Sequence, residues 1–331
     1  MAPIGCWSTR WERDLKVGVR AGLISGVLLL AVVVAVAAHF GKPEEYARLL
    51  AHAKPAWLAV ALVLQVATYV CAGGVWQRAL VRQGHSRSLV EMVRLGVVKL
   101  FMDQAVPSAG ISGNVLVARA LGHRGLSHQS ATATVIAGLI SFYIAYALAV
   151  AGALVILWLT AHASQFIMIL VTVFALVLAL FLTALLWVTR GNRDRVPRWL
   201  RKIKPVEKFL AGIGDRPPHV LRDLVFFVEA TGLQLLLIAL DAATLWAVLE
   251  AVGTTAPPAG VFAAFTMASV VAMISLLPAG LGTFDGTAIA LLSAFRVPLE
   301  AAVAGTVLLR GLTFILPLIP GFWLARAEAV K

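Results

Sequence analysis

The chain has 331 residues, 60% of them hydrophobic and 13% charged, with a formal net charge of +12. A soluble domain is closer to half apolar and a quarter charged, so the composition excludes a separate soluble enzyme domain and specifies an all-α polytopic integral membrane protein. The surplus Lys and Arg lie in short loops, where topology and anionic lipid account for them; no nucleic-acid partner is expected.

Residues 1–16 read as a cytoplasmic N-terminal tail. The apolar run Val17–Phe40 exceeds the roughly 20 residues that cross a bilayer. It reads as the first span, against a competing reading as a cleavable signal peptide ending near Ala35-Val36-Ala37. Gly18, Gly22 and Gly26 give it a small-residue packing stripe. Pro55–Gln77 is the second span, with Trp57 and Trp76 as interface anchors, and the following loop (Arg78, Arg82, Arg87, Arg94) is placed in the cytoplasm.

The segment near 91–122 is too short and too polar for a comfortable span. It carries Lys99 and Asp103, breaks at Val106-Pro-Ser-Ala-Gly-Ile-Ser-Gly-Asn114, and runs on to Arg119 and a second basic loop. Cytoplasmic charge on both sides makes it a re-entrant helical hairpin. Ser127–Trp158 is the third span and completes a first membrane repeat, residues 17–158.

Residues 159–189 hold the fourth span, and 190–222 form the most basic stretch, a cytoplasmic loop that could include an interfacial helix. Residues 223–326 hold the rest of the second repeat. In it come the fifth span Leu224–Leu249, with Gln234 and Asp241, then a hairpin near 259–296, then the last span Leu299–Leu324 with Arg310 near its middle. That hairpin breaks at Leu276-Leu-Pro-Ala-Gly-Leu-Gly-Thr-Phe-Asp-Gly286. Residues 327–331 are a cytoplasmic tail. Cys6 and Cys71 fall in a tail and a span, so no disulfide is expected.

About six full spans and two re-entrant hairpins then form an inverted-topology repeat. The alternative is that the second hairpin is two kinked spans, which would put the C-terminus outside. Backbone groups freed at each break need partners that hydrocarbon does not offer. Matched Gly/Pro interruptions in two halves are the pointer to a transporter's binding site.

The candidate substrate-binding residues are therefore Pro107, Ser108, Gly110, Ser112, Gly113, Asn114 and Arg119 at the first break. At the second they are Pro278, Gly280, Gly282, Thr283, Asp285 and Arg310. Amides at the starts of the second short helices would favour an anion, and glycines allow close backbone approach; packing is the other role open to these glycines. Charges at depth are functional by default. Arg310 could pair with Asp285 or Asp241, and Lys99 with Asp103; Asp103, Lys99 and Asp241 are candidates for an ion pair or a proton carrier. The histidines show no metal-ligand spacing, and neither a P-loop nor a dinucleotide fingerprint occurs. No metal, cofactor or catalytic constellation is expected.

The second break, Pro278-Ala-Gly-Leu-Gly-Thr-Phe-Asp285, followed by Arg310, Phe314, Pro317 and Gly321, resembles a signature of the lysylphosphatidylglycerol synthase transmembrane, or flippase-like, domain family. That family includes the membrane half of the multiple peptide resistance factor. The first break with Arg119 is a looser match. The chain departs from the family pattern at Asn114, where the family has Asp, and at Ala137-Gly138 and Ser141, where it often has charged residues. Asp285 stands where the family has Glu. Both losses of charge suggest a different lipid. The aminoacyl-transferase domain of fused relatives is not in this sequence, so lysyl-lipid synthesis is not expected.

The resemblance implies a flippase or transporter for an anionic phospholipid or polyprenyl-type lipid in a bacterial inner membrane; the distribution of Lys and Arg places both termini in the cytoplasm. The alternatives are an accessory subunit of envelope lipid or hopanoid biosynthesis, working as a homodimer or with a partner enzyme, and, last, an intramembrane lipid-modifying enzyme.

Overall fold

The computed structural model describes residues 52–105, 111–160, 172, 176, 219–275, 280, 282–317, 320, 321, 323 and 324. The first expected span, all but a few residues of the fourth, both tails, most of the 190–222 loop and the Gly18/Gly22/Gly26 stripe lie outside these residues. All regular structure among the described residues is helical.

Three helices are long and apolar enough to cross a membrane. They are α1 (Pro55–Val81, 27 residues), α4 (His128–Leu159, 32 residues) and α5 (Leu224–Ala251, 28 residues). At 1.5 Å per residue each is about 40 Å or longer, more than the roughly 30 Å hydrocarbon thickness. Between α1 and α4 lie two shorter helices, α2 (Leu89–Ala105, 17 residues) and α3 (Ile111–His123, 13 residues). After α5 come α6 (Pro258–Ile274, 17 residues), α7 (Thr283–Ala294, 12 residues) and α8 (Leu299–Arg310, 12 residues). The order of a long helix and two short ones thus occurs twice. The expected second, third and fifth spans correspond to α1, α4 and α5, each ending within four residues of the sequence-based bounds.

The chain forms two compact units: Met1–Ala67 with Gly96–Leu116 and Leu240–Lys331, and Thr68–Leu95 with Val117–Ala239. In the first unit, the start of α1 runs antiparallel to the end of α5. The Lys54 amide donates to the Ala251 carbonyl at 2.8 Å, Trp57 meets Trp246 edge-on at 5.2 Å, and Gln65 reaches Asp241. Ala61, Ala247 and Val248 form the seam, covered by Leu308 and Leu312 from the helix that carries Arg310. Gly305 is needed here, because a Cβ would come within 2.6 Å of Leu249.

Helices α6 and α7 form an antiparallel hairpin in the same unit. At one end Gly260 faces the Phe295 ring, 2.8 Å from where a Cβ would stand. At the other, Thr283 Oγ1 lies 3.0 Å from Ser275 Oγ. Phe265 and Phe284 stack edge-on between them at 5.7 Å. Lipid is as apolar as Leu, so the small residues that permit such contact matter more than hydrophobicity. Helix α8 passes into a π-helical turn, Gly311–Ile315, just ahead of Pro317, which lacks an N–H and crowds the carbonyl four residues back.

In the second unit, α4 presents a ridge of small residues at every fourth position: Ala133, Ala137, Ser141, Ala145, Ala149 and Ala153, all buried. A spacing of four makes them a continuous ridge that winds about 40° round the helix at each step, and their size lets neighbouring backbones approach. Ala137 and Ser141 both belong to this ridge. The Ser141 hydroxyl is satisfied by the Gly138 carbonyl at 2.9 Å, and Trp76 packs over Gly138. The long helices also expose Leu148, Val155 and Val228 here, and Val63 and Val66 in the first unit, as lipid-facing surfaces would. Arg82 joins Glu229 at 3.0 Å and Asp223 at 3.4 Å, with Arg78 also on Glu229, tying the end of α1 to the start of α5. Arg124 binds Glu91 at 2.6 Å, which ties the chain just after α3 to the start of α2.

Candidate functional site

The second break is a set of backbone groups taken out of helix and rebonded by side chains. Gly280 has φ +63° and Gly282 φ +78°, conformations that residues with a Cβ rarely adopt. Gly280 is also hemmed in by Ala272, so this glycine has a demonstrable packing role. The Gly282 amide, at the cap of α7, donates to Asp285 Oδ2 at 3.0 Å. This is the reach-back half of a capping box, an acid three residues into the helix bonding the cap amide.

Arg310 fastens the whole break. Its Nε donates to Asp285 Oδ1 at 2.8 Å, and its Nη2 to Asp285 Oδ2 at 3.4 Å and to the Gly280 carbonyl at 3.3 Å. Thr283 Oγ1 donates toward the same carbonyl at 3.1 Å. The guanidinium lies 4.4 Å from the Phe284 ring centroid and 5.1 Å from that of Phe314, a favourable placement for a cation with little water around it. Arg310 is only 7% exposed. Of the two acids that the sequence offers it, Asp285 is the partner.

The first break repeats the chemistry. Lys99 Nζ donates to Asp103 Oδ2 at 2.6 Å, and Asp103 Oδ1 accepts the Gly113 amide at 2.9 Å. A Cβ on Gly113 would run into Asp103 and Lys99. In both breaks, then, a carboxylate paired with a cation bonds a glycine amide at the start of the second short helix. This changes one expectation: the amides of Gly113 and Gly282 are already engaged by acids and are not free for a ligand. An anion arriving here meets a self-neutralised pair.

The other candidates are placed less centrally. Asn114 is half-buried on α3, and Arg119 is exposed there without an ion pair among the described residues. Pro107, Ser108, Gly110 and Pro278 lie outside the described residues, as does the side chain of Ser112. Asp241 sits on α5 with Gln65 Nε2 at 3.5 Å. Sequence reasoning missed Phe284 as a partner of Arg310, although it adjoins Asp285. It named Phe314 only by resemblance, although Phe314 stands four residues after Arg310, the spacing of helical neighbours. It also missed Gln65, whose one signal was a polar residue in an apolar run.

Comparison with known proteins identifies the family. The chain is 25% identical over 313 residues, 88% of its own length and 90% of the other's, to a UPF0104 membrane protein of Methanothermobacter thermautotrophicus. Residues 23–321 match the family described as the lysylphosphatidylglycerol synthase TM region. That span takes in both breaks and the three long apolar helices found among the described residues, and the chain is a membrane protein that belongs to the lysylphosphatidylglycerol synthase transmembrane-region family.

Proposed function

We propose that the protein moves a lipid with an anionic head group, a phospholipid or a polyprenyl-type lipid, between the leaflets of a bacterial inner membrane. The observation that carries this reading is the buried Arg310–Asp285 pair at a helix break. Charge is costly in hydrocarbon and, where kept, usually marks a substrate path. A head-group phosphate is the chemical equal of the Asp285 carboxylate: it can take that side chain's place on the guanidinium, which suits oxyanions. Lys99 and Asp103 offer the same exchange at the first break.

The repeated order of long and short helices and the antiparallel α1–α5 pairing support an inverted repeat with two re-entrant hairpins, a plan shared by many transporters. The chain carries lipid on this reading and leaves covalent chemistry to other proteins.

The test is transfer of labelled phosphatidylglycerol between leaflets of vesicles holding the purified protein. Wild type transfers the lipid, and Arg310→Met with Asp285→Asn does not. Lipid bound by the wild type but never transferred would favour the accessory-subunit reading. Equal transfer by wild type and the double variant would remove the site from the path.

A further inference from the structure

Asp241 is an acid that the Arg310 site does not use. It is the eighteenth residue of the 28-residue α5, well inside a helix long enough to cross the membrane. The other acids of α5, Glu229 and Glu250, stand twelve and nine positions away, roughly 18 and 13 Å along the axis. On α1 the charged residue is Arg78, in the last turn. On α8 they are Glu300 and Arg310, and Arg310 is committed to Asp285. Among the described residues no cation pairs with Asp241. What faces it is the Gln65 amide, donating from 3.5 Å, while the nearby Thr244 hydroxyl is spent on the Leu240 carbonyl. The seam one to two turns further along α5 is Ala61, Ala247 and Val248.

An ionised carboxylate is expensive in such surroundings, and with no cation paired to it among the described residues, the small partners that could neutralise it are a metal cation or a proton. A hard cation wants several oxygen ligands. The contact Asp241 makes is with an N–H donor, and among the described residues no group of three His, Cys, Asp or Glu could hold a metal ion. A carboxyl group and an amide suit each other in both protonation states, because the amide can donate to an oxygen and accept from an O–H.

The same seam leads to the Arg310 helix. Leu308 and Leu312, two residues before and two after Arg310, rest on Ala61, Ala247 and Val248. The second of them lies in the π-helical turn, a kind of widened turn that is often functional. Packed side chains therefore run from the α1–α5 seam to the helix that carries Arg310.

We propose that Asp241 is a proton-binding site within the membrane, and that loading and unloading it couples lipid transfer to a proton gradient. The coupling rests on the transport reading above; the proton site does not. Vesicles holding wild type or Asp241→Asn are given labelled phosphatidylglycerol, with and without an imposed pH gradient. In parallel, the infrared band of protonated carboxyl groups is followed across a pH titration of each purified protein. Wild-type transfer should accelerate several-fold under the gradient, while the rates of Asp241→Asn with and without it coincide. One protonated-carboxyl band should be missing from the variant. Folding of the variant is checked by its elution profile and melting; Gln65→Glu, which places a second acid at the same spot, should shift the band and gives a reading independent of the Asn change. A gradient response that survives in Asp241→Asn overturns the coupling. Identical carboxyl bands in wild type and both variants overturn the proton site. If wild type transfers no lipid under any gradient, the transport reading fails and the coupling with it, while the infrared comparison still decides the site.

Discussion

Asp285 grips Arg310 with both carboxylate oxygens, and one of those oxygens also holds the Gly282 amide. A single acid thus joins the end of α8 to the start of α7. The pair is buried, at 8% and 15% side-chain exposure. Removing one partner of such a pair strands the other, at a cost of about 3–5 kcal/mol, whereas replacing both is often neutral. Arg310→Met should therefore lower the melting temperature in detergent markedly. Adding Asp285→Asn, which keeps an acceptor for Gly282, should restore most of it. Transport should stay lost in the double variant, and recovery of transport along with stability would make the pair purely structural.

The first break allows the same cycle. Lys99→Met leaves Asp103 without its cation, and Asp103→Asn in that background should recover stability while still accepting the Gly113 amide. A coupling energy of about 1–3 kcal/mol from the four melting curves is expected for groups in one network. Additive effects would mean that the contact has no energetic weight.

Three glycines separate backbone strain from crowding. Gly280→Ala meets both a positive φ and Ala272, and should cost more than the roughly 1–2 kcal/mol of strain alone. Gly282→Ala meets strain only, with nothing within 4 Å, and at φ +78°, ψ −37° should cost about 1–3 kcal/mol. Gly286→Ala meets neither, and should stabilise α7 by about 0.5–1 kcal/mol. Melting temperatures in the order Gly286→Ala, wild type, Gly282→Ala, Gly280→Ala check this.

The α4 ridge should not tolerate bulk. Ala145→Leu, at a fully buried position, should cost about 1–3 kcal/mol through overpacking. Val155→Leu, at a position 55% exposed, should leave melting unchanged in lipid or detergent. Equal tolerance at both positions would mean that the ridge faces no neighbour.

Much was legible in the chain because the physics there is local. A bilayer sets a minimum length for an apolar run, so α1, α4 and α5 could be bounded from sequence within a few residues. Helices cannot continue through Pro278 with Gly280 and Gly282 beside it, so α6 had to stop before the break and α7 to start after it. The Lys99–Asp103 pairing could be read from a spacing of four. What the sequence left open were choices among partners distant in the chain. It offered Arg310 both Asp285 and Asp241, and the packing of α7 against α8 put Asp285 within 2.8 Å and left Asp241 to Gln65. It suggested glycine amides open to a ligand, and only the folded chain shows Asp103 and Asp285 already bonding those of Gly113 and Gly282. Composition and periodicity fix which residues enter the membrane, since transfer into lipid is a property of each residue; which buried charges meet is decided by how the helices pack.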